Sequence, residues 1–592
     1  MSIVNTVFKN QQTRGVSNLT NMEMVNHFER CLALTNSNKK TPIESVVAVS
    51  KVDWRDILSC MQDLSLERAK LRLKSTNNGS LNGSDVANSD DSMREFGVVL
   101  SIIDGVAKVV GLSNVLAGES VSFVTGGVTG MVVSLEKSYV KIMVFGNDLK
   151  VEAGDLVLRT FSVVSLEVHK GLIGRTVDAL GHIIDDRGII PESEFMETIR
   201  SMPSKFSAVD VKAPGVIYRS KINEPVSTGL IFIDTIVPIG RGQRESIIGD
   251  KQTGKSAVAI DSIINQKFLH LSTVDAIKKS GLFCIYVAIG QKRSSIVKLV
   301  NKLTKINSMF YTTVVSATAS DAASLQYIAP YTGCTIGEWF RDNGMHALIM
   351  YDDLSKHAVA YRQMSLLLRR PSSREAYPGD VFHLHSRLLE RAAKLNSTFG
   401  FGSLTALPII ETQLGDVSAL VATNVISITD GQIYLDSELF NKGVRPALSA
   451  GISVSRVGAA AQDKVIRKFA GQLKLELAQY REVELFSAFA SELDEATQMT
   501  LKRGLRLLDI SKQPRFSPLN PLQQLVLVYS GINGYFDNLI ASDVALFKQQ
   551  LIDSVVFNAV WFDNLDLNEE IIGLNLDFYI EDLLNTEIFS KT

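Results

Sequence analysis

The chain has 592 residues, 45% hydrophobic and 21% charged, with a formal net charge of −2. A single core stops growing at about 250 to 300 residues, so this length calls for several domains. The near-zero charge supplies no basic field for a phosphate backbone, which argues against nucleic acid as a partner, and no stretch reaches the ~18 uninterrupted apolar residues of a membrane-spanning helix.

Residues 1–95 carry Lys9 and Arg14 but no acid before Glu23, a pattern shared by organelle-targeting leaders; the expectation adopted is an uncleaved N-terminal arm. Within it, 54–73 can form a short amphipathic helix, and 77–92, rich in Asn, Ser, Gly and Asp, reads as a flexible linker. Over 96–175, short β-branched runs such as Val98-Val99-Leu100-Ser101-Ile102 alternate with turns such as Asp104-Gly105 and predict a small β-barrel. Over 176–460, strand candidates at 246–249, 283–288, 311–316, 346–351 and 404–410 alternate with helical segments. That pattern predicts a largely parallel sheet covered by helices on both faces. In 461–592 the period becomes helical, with Val465, Phe469, Leu473 and Leu477 on one face, and a helical bundle is expected. Met499, Leu501, Leu505 and Leu508 read as bundle core, and Ser491-Glu492-Leu493-Asp494-Glu495 as an acidic helix start. The cysteines Cys31, Cys60, Cys284 and Cys334 show no paired spacing and are expected to be reduced and buried. His383-Leu384-His385 lacks a carboxylate or thiol at ligand spacing, so packing is favoured over a metal site.

Gly249-Asp250-Lys251-Gln252-Thr253-Gly254-Lys255-Ser256 fits G-x-x-x-x-G-K-[ST] and stands between an apolar strand and the helical run that begins at Ala257. Glycines let the backbone curl around phosphates, N–H groups and the helix N-terminus supply positive potential, Lys255 reaches the outer phosphates, and the Ser256 hydroxyl ligates Mg²⁺. About a hundred residues later, Met345-His346-Ala347-Leu348-Ile349-Met350-Tyr351 ends in Asp352-Asp353. Asp352, first after the apolar run, is expected to hold the water shell of the magnesium.

Three further stretches are similar to the alpha subunit of F-type ATP synthases: Val287-Ala288-Ile289-Gly290-Gln291-Lys292-Arg293-Ser294, the run from Tyr351 to Lys356 with Arg369-Arg370-Pro371 and Arg374-Glu375-Ala376-Tyr377-Pro378-Gly379-Asp380, and Ser453-Val454-Ser455-Arg456-Val457-Gly458. The resemblance spans about 98 to 550 and implies a β-barrel, a RecA-like P-loop nucleotide-binding domain and a C-terminal helical domain. It implies an alternating ring with catalytic beta subunits, contacts with a central rotor stalk and a peripheral stalk, and membrane attachment only through a proton-conducting sector; the N-terminal residues favour the matrix side of the mitochondrial inner membrane over a bacterial or plastid membrane.

The resemblance also assigns residues. The catalytic sister subunit carries a glutamate where this chain has Gln291, and a neutral amide cannot accept a proton. Gln252, Lys255, Ser256 and Asp352 would hold a Mg-ATP or Mg-ADP that stays bound, and Arg456 would project toward the γ-phosphate of the neighbouring catalytic subunit. Arg445-Pro446 matches the adenine pocket; of its later pair of glutamines, Gln513 matches and Arg515 does not, which leaves adenine specificity open. Two other readings stand at this point: a catalytic beta-type subunit, against which Gln291 and the Arg456 motif speak, and a ring-forming RNA translocase, which the charge disfavours.

Overall fold

The computed structural model describes residues 96–185, 205–270, 281–462, 464–487, 494–537, 539 and 541–557. The expected helix at 54–73, the linker at 77–92, Cys31, Cys60 and residues 491–493 lie outside them.

Six strands, β1 Phe96–Ile103, β2 Val106–Val110, β3 Glu119–Phe123, β4 Val128–Leu135, β5 Val140–Phe145 and β6 Leu156–Val163, close into a barrel in the order β1-β2-β5-β4-β3-β6. Alternation places Val99, Val109, Val121, Phe123, Ile142 and Val157 in one interior cluster, the period-2 arrangement of a half-buried strand. The β1–β2 hairpin turns at Asp104 and Gly105, whose φ values of 46° and 80° are the left-handed pair a two-residue turn requires.

Two small antiparallel pairs follow: β7 Ser165–Val168 with β9 Lys205–Ala208, and β10 Pro225–Val226 with β11 Ile239–Gly240. The main sheet comprises β8 Thr176–Val177, β12 Ser246–Asp250, β13 Leu282–Gln291, β14 Thr312–Thr318, β15 His346–Asp352, β16 Ser403–Thr412, β17 Gly431–Leu435 and β18 Val454–Ser455. Its order is β18-β17-β12-β16-β15-β13-β14-β8, parallel throughout except for the antiparallel edge strand β18. Each of the five strands expected between 246 and 410 is present. β14 and β15 are buried along their whole length, because helices cover both faces. Along β13 the two faces separate cleanly: Leu282, Cys284, Tyr286 and Ala288 enter one core, and Phe283, Ile285, Val287 and Ile289 the other. Cys284 and Cys334 are buried free thiols, and burial pushes the Cys334 thiol up to about 11.

Beyond 461 the described chain is helical: Lys464–Ser487, Glu495–Ser511, Pro521–Ile532 and Ala541–Phe557. Phe469, Leu473 and Leu477 join the first sheet core, so the helices share their interior with the nucleotide-binding sheet. Of Met499, Leu501, Leu505 and Leu508, Leu508 packs against the core as expected, and the expectation is corrected for Met499 and Leu505. Met499 is 72% and Leu505 50% exposed, whereas Gly504, Leu507 and Ile510 are buried. The buried stripe is set by the close crossing with the Lys464–Ser487 helix, for which a glycine outranks a leucine. Among the described residues no helix is long and apolar enough to cross a membrane.

Candidate functional site

β12 lies between β16 and β17, with Gly249 level with Glu411 on one side and Leu435 on the other. The loop 249–256 therefore leaves from the carboxyl edge of a parallel sheet, the place where open α/β sheets bind ligands. A side chain at Gly249 would meet Leu435 O at 2.7 Å, and Gln252 and Gly254 both take left-handed backbone, φ 69° and 99°. Lys251 and Gln252 are exposed on the loop's crest. Thr253 closes the turn, its hydroxyl donating to Asp250 O at 2.9 Å, and Asp250 Oδ1 accepts from Thr412 Oγ1 at 2.7 Å and Gly415 N at 2.8 Å.

Lys255 opens the Lys255–Asn265 helix, is 8% exposed, and donates through Nζ to Gly249 O at 2.8 Å and to Asp250 O. Burial lowers its ammonium pKa, opposed by the carboxylates of Glu411, Asp353, Asp352 and Asp250. Burial disfavours the charge and these four acids favour it, so the site is arranged around a cation that anionic oxygens can reach.

Ser256 Oγ donates to Asp352 Oδ2 at 2.6 Å, and the Tyr286 hydroxyl donates to the same oxygen. Strand register explains this: Tyr286 and Ala288 of β13 face Met350 and Asp352 of β15. Burial and the Asp352 charge push the Tyr286 hydroxyl pKa well up, which keeps it a donor. Asp353 has a different task. It caps the Leu354–Leu367 helix, accepting from Lys356 N at 2.7 Å, and pairs with Lys356 Nζ at 3.2 Å. A hydroxyl and a carboxylate oxygen in contact are the hard oxygen pair that Mg²⁺ takes, so Ser256 and Asp352 fit the metal of a magnesium nucleotide. Gln291, at the end of β13, donates through Nε2 to Asp352 O at 3.2 Å.

Beside the loop a pocket is lined by Gly254, Ala257, Phe440, Arg445, Pro446, Gln513 and Arg515, among others. Gln513 is 7% exposed; its Oε1 accepts from Ile231 N at 2.9 Å, Nε2 donates to Gly229 O at 2.9 Å, and its backbone N donates to Arg445 O at 2.8 Å. The Arg445 guanidinium lies 4.7 Å from the Phe440 ring centroid. At the floor, Asp261 accepts from Phe516 N at 2.8 Å, and burial pushes its carboxyl up to about 6 against the pull of Arg515.

Arg456 stands apart from all of these. β18 pairs Ser455 with Gly431 at the start of β17, and Arg456 N donates to Asp430 O at 2.8 Å. From the level of Asp430 to Leu435, beside the loop, is five strand steps, roughly 16 Å. The Arg456 side chain is exposed at the amino edge of the sheet, opposite the loop of its own chain. Behind it Glu245 is fully buried, with Oε2 accepting from Gln243 Nε2 at 2.7 Å and Oε1 without a partner.

His385 is buried, with its ring 5.6 Å from that of His357, while His383 is exposed; two positions apart on one helix, they face different ways. The sequence reading passed over Tyr286, Glu411, Phe440 and Glu245. Glu411 was detectable as an acid ending a third apolar strand, but the pairing of Tyr286 with Asp352 depends on strand register.

A glycine-rich loop at the carboxyl edge of a parallel sheet, with a lysine, a hydroxyl and a carboxylate converging on it, defines a P-loop nucleotide-binding protein, here flanked by a barrel and a helical region. Residues 92–160 match the model of the ATP synthase alpha/beta family, beta-barrel domain; residues 229–455 match its nucleotide-binding domain; residues 462–567 match the ATP synthase alpha/beta chain, C terminal domain. The chain belongs to the ATP synthase alpha/beta family, whose members assemble into a hexameric head with other subunits.

Proposed function

We propose that this chain is the non-catalytic alpha subunit of a proton-translocating F-type ATP synthase, holding Mg-ATP or Mg-ADP and lending Arg456 to a neighbouring catalytic beta subunit. The observation that carries this reading is Gln291. At the strand end where a catalytic subunit needs a carboxylate to take a proton, this chain has an amide whose nitrogen donates to Asp352 O. Lys255 and the loop N–H groups would grip the phosphates, Ser256 and Asp352 the magnesium, and the pocket at Arg445-Pro446, Gln513 and Arg515 the base. Bound magnesium supplies charge neutralisation on the phosphate oxygens. The exposed place of Arg456, on the edge away from its own loop, supports action across a subunit boundary. The central and peripheral stalks, the proton-conducting sector and the matrix face of the mitochondrial inner membrane complete the proposed setting; nucleic acid has no part in it.

The test is Arg456→Lys in the assembled ring. Lysine keeps the charge but loses the planar fork. Nucleotide bound to this chain should be unchanged, while ATPase activity of the ring falls by about 10³ or more. Retained activity would refute the role of Arg456.

A further inference from the structure

We propose that Arg515 sets the base preference of the pocket beside the phosphate loop and opens it to guanine as well as adenine nucleotides. This rests on the nucleotide-holding reading above and goes further, to the class of nucleotide held.

An adenine-selective pocket must offer an acceptor to the exocyclic amine and must not reward an oxygen in its place. The polar side chains that line the pocket are largely engaged elsewhere. Gln513 is the one amide in the lining, and both its ends are committed to the backbone of 229–231. The Thr253 hydroxyl donates to Asp250 O. Arg445 lies over Phe440. Asp261 is 4% exposed, accepts from Phe516 N through Oδ1 and feels the charge of Arg515, so the acceptor it offers is deep in the pocket.

What remains is Arg515, exposed, lining the pocket, and near enough to Asp261 for its charge to act on that carboxylate. A guanidinium has five N–H donors and no acceptor. Guanine presents O6 and N7 side by side, two acceptors at the spacing of that fork. Adenine presents N7 beside an amino donor that opposes it. Pro446 and the apolar Leu230, Val258 and Leu435, which also line the pocket, carry no polar side-chain group that would tell one purine from the other.

The test uses the full-length chain and isothermal titration with Mg-ADP and Mg-GDP, for wild type, Arg515→Gln and Arg515→Lys. Wild type should bind GDP within about threefold of ADP, and Arg515→Gln, which restores an acceptor, should shift the ratio toward ADP by about tenfold. Arg515→Lys, which keeps the charge without the fork, should shift it in the same direction. A ratio that Arg515→Gln leaves within about twofold of wild type overturns the assignment while leaving the nucleotide site intact. Binding of neither nucleotide by wild type overturns the nucleotide-holding reading itself, and this inference with it.

Discussion

Glu245 is a carboxylic acid held in the interior behind Arg456, with one oxygen bonded to Gln243 and the other to nothing. Burial first, and then the charge of Asp430, push its pKa from the ordinary 4.5 to about 9. A folded-state pKa raised this far means that the stability tied to the protonated form is fully present below about 4.5 and is lost as pH rises toward about 9. Glu245→Gln keeps the shape and the acceptor for Gln243 without the titration. The variant should gain on wild type as pH climbs from about 5 to 9, on the order of 1.4 kcal/mol per pH unit, read as urea midpoints at several pH values. Parallel midpoints for the two proteins would mean that Glu245 is ionised in the folded chain. At this scale the sequence was informative where chemistry is local. The spacing within 249–256 singled out Lys255 and Ser256, and order along the strand singled out Asp352, whose carboxylate the Ser256 hydroxyl contacts, over Asp353, which caps a helix. Glu245 left no such signal, because nothing in Gln243-Arg244-Glu245 says that the third side chain is enclosed by Gly431 and β18.

Among the elements, the helices Lys464–Ser487 and Glu495–Ser511 cross where Gly504 meets Tyr480; a Cβ at Gly504 would stand 2.2 Å from Tyr480 Cδ2 and 2.5 Å from its Cβ. Alanine in a helix interior gains about 1 kcal/mol over glycine, but forcing a methyl into a filled contact costs about 1 to 3 kcal/mol. Sterics should win, and Gly504→Ala should lower the denaturation midpoint; a midpoint that rises would show that the helices separate freely. The same crossing explains why the exposed Met499 and Leu505 were misread as core: helical period alone does not say which of two apolar stripes a neighbour covers. The five long strands were legible because apolar runs of that length, buried on both faces, have few other uses. β8, β17 and β18 were not, since two to five residues led by Thr, Gly or Val carry no period, and they are strands only because neighbouring strands of the sheet give them partners.

Over the whole molecule, barrel, sheet and helices were readable in order from the change of period and turn spacing along the chain, and three family-model matches follow the same sequence of parts. What could not be read was their convergence. Gln513 reaches Ile231 across 282 positions, the core that holds Tyr286 and Ile247 also holds Leu507 and Phe547, and Gln513 and Arg515, just beyond the Glu495–Ser511 helix, line the pocket beside the loop. The pocket beside the loop is thus a product of two regions, and Arg456 lies at the far edge of the sheet, the position that the proposed action on another chain requires. The central claim is that the chain holds a nucleotide without converting it. Full-length chain should be incubated with Mg-ATP, freed of excess by gel filtration, and its nucleotide extracted and identified over time. One ATP per chain, remaining ATP over hours and released by EDTA, is the expected result. Conversion to ADP at about 1 s⁻¹ or faster, the ordinary range of enzyme turnover, would contradict it and make this a catalytic subunit despite Gln291.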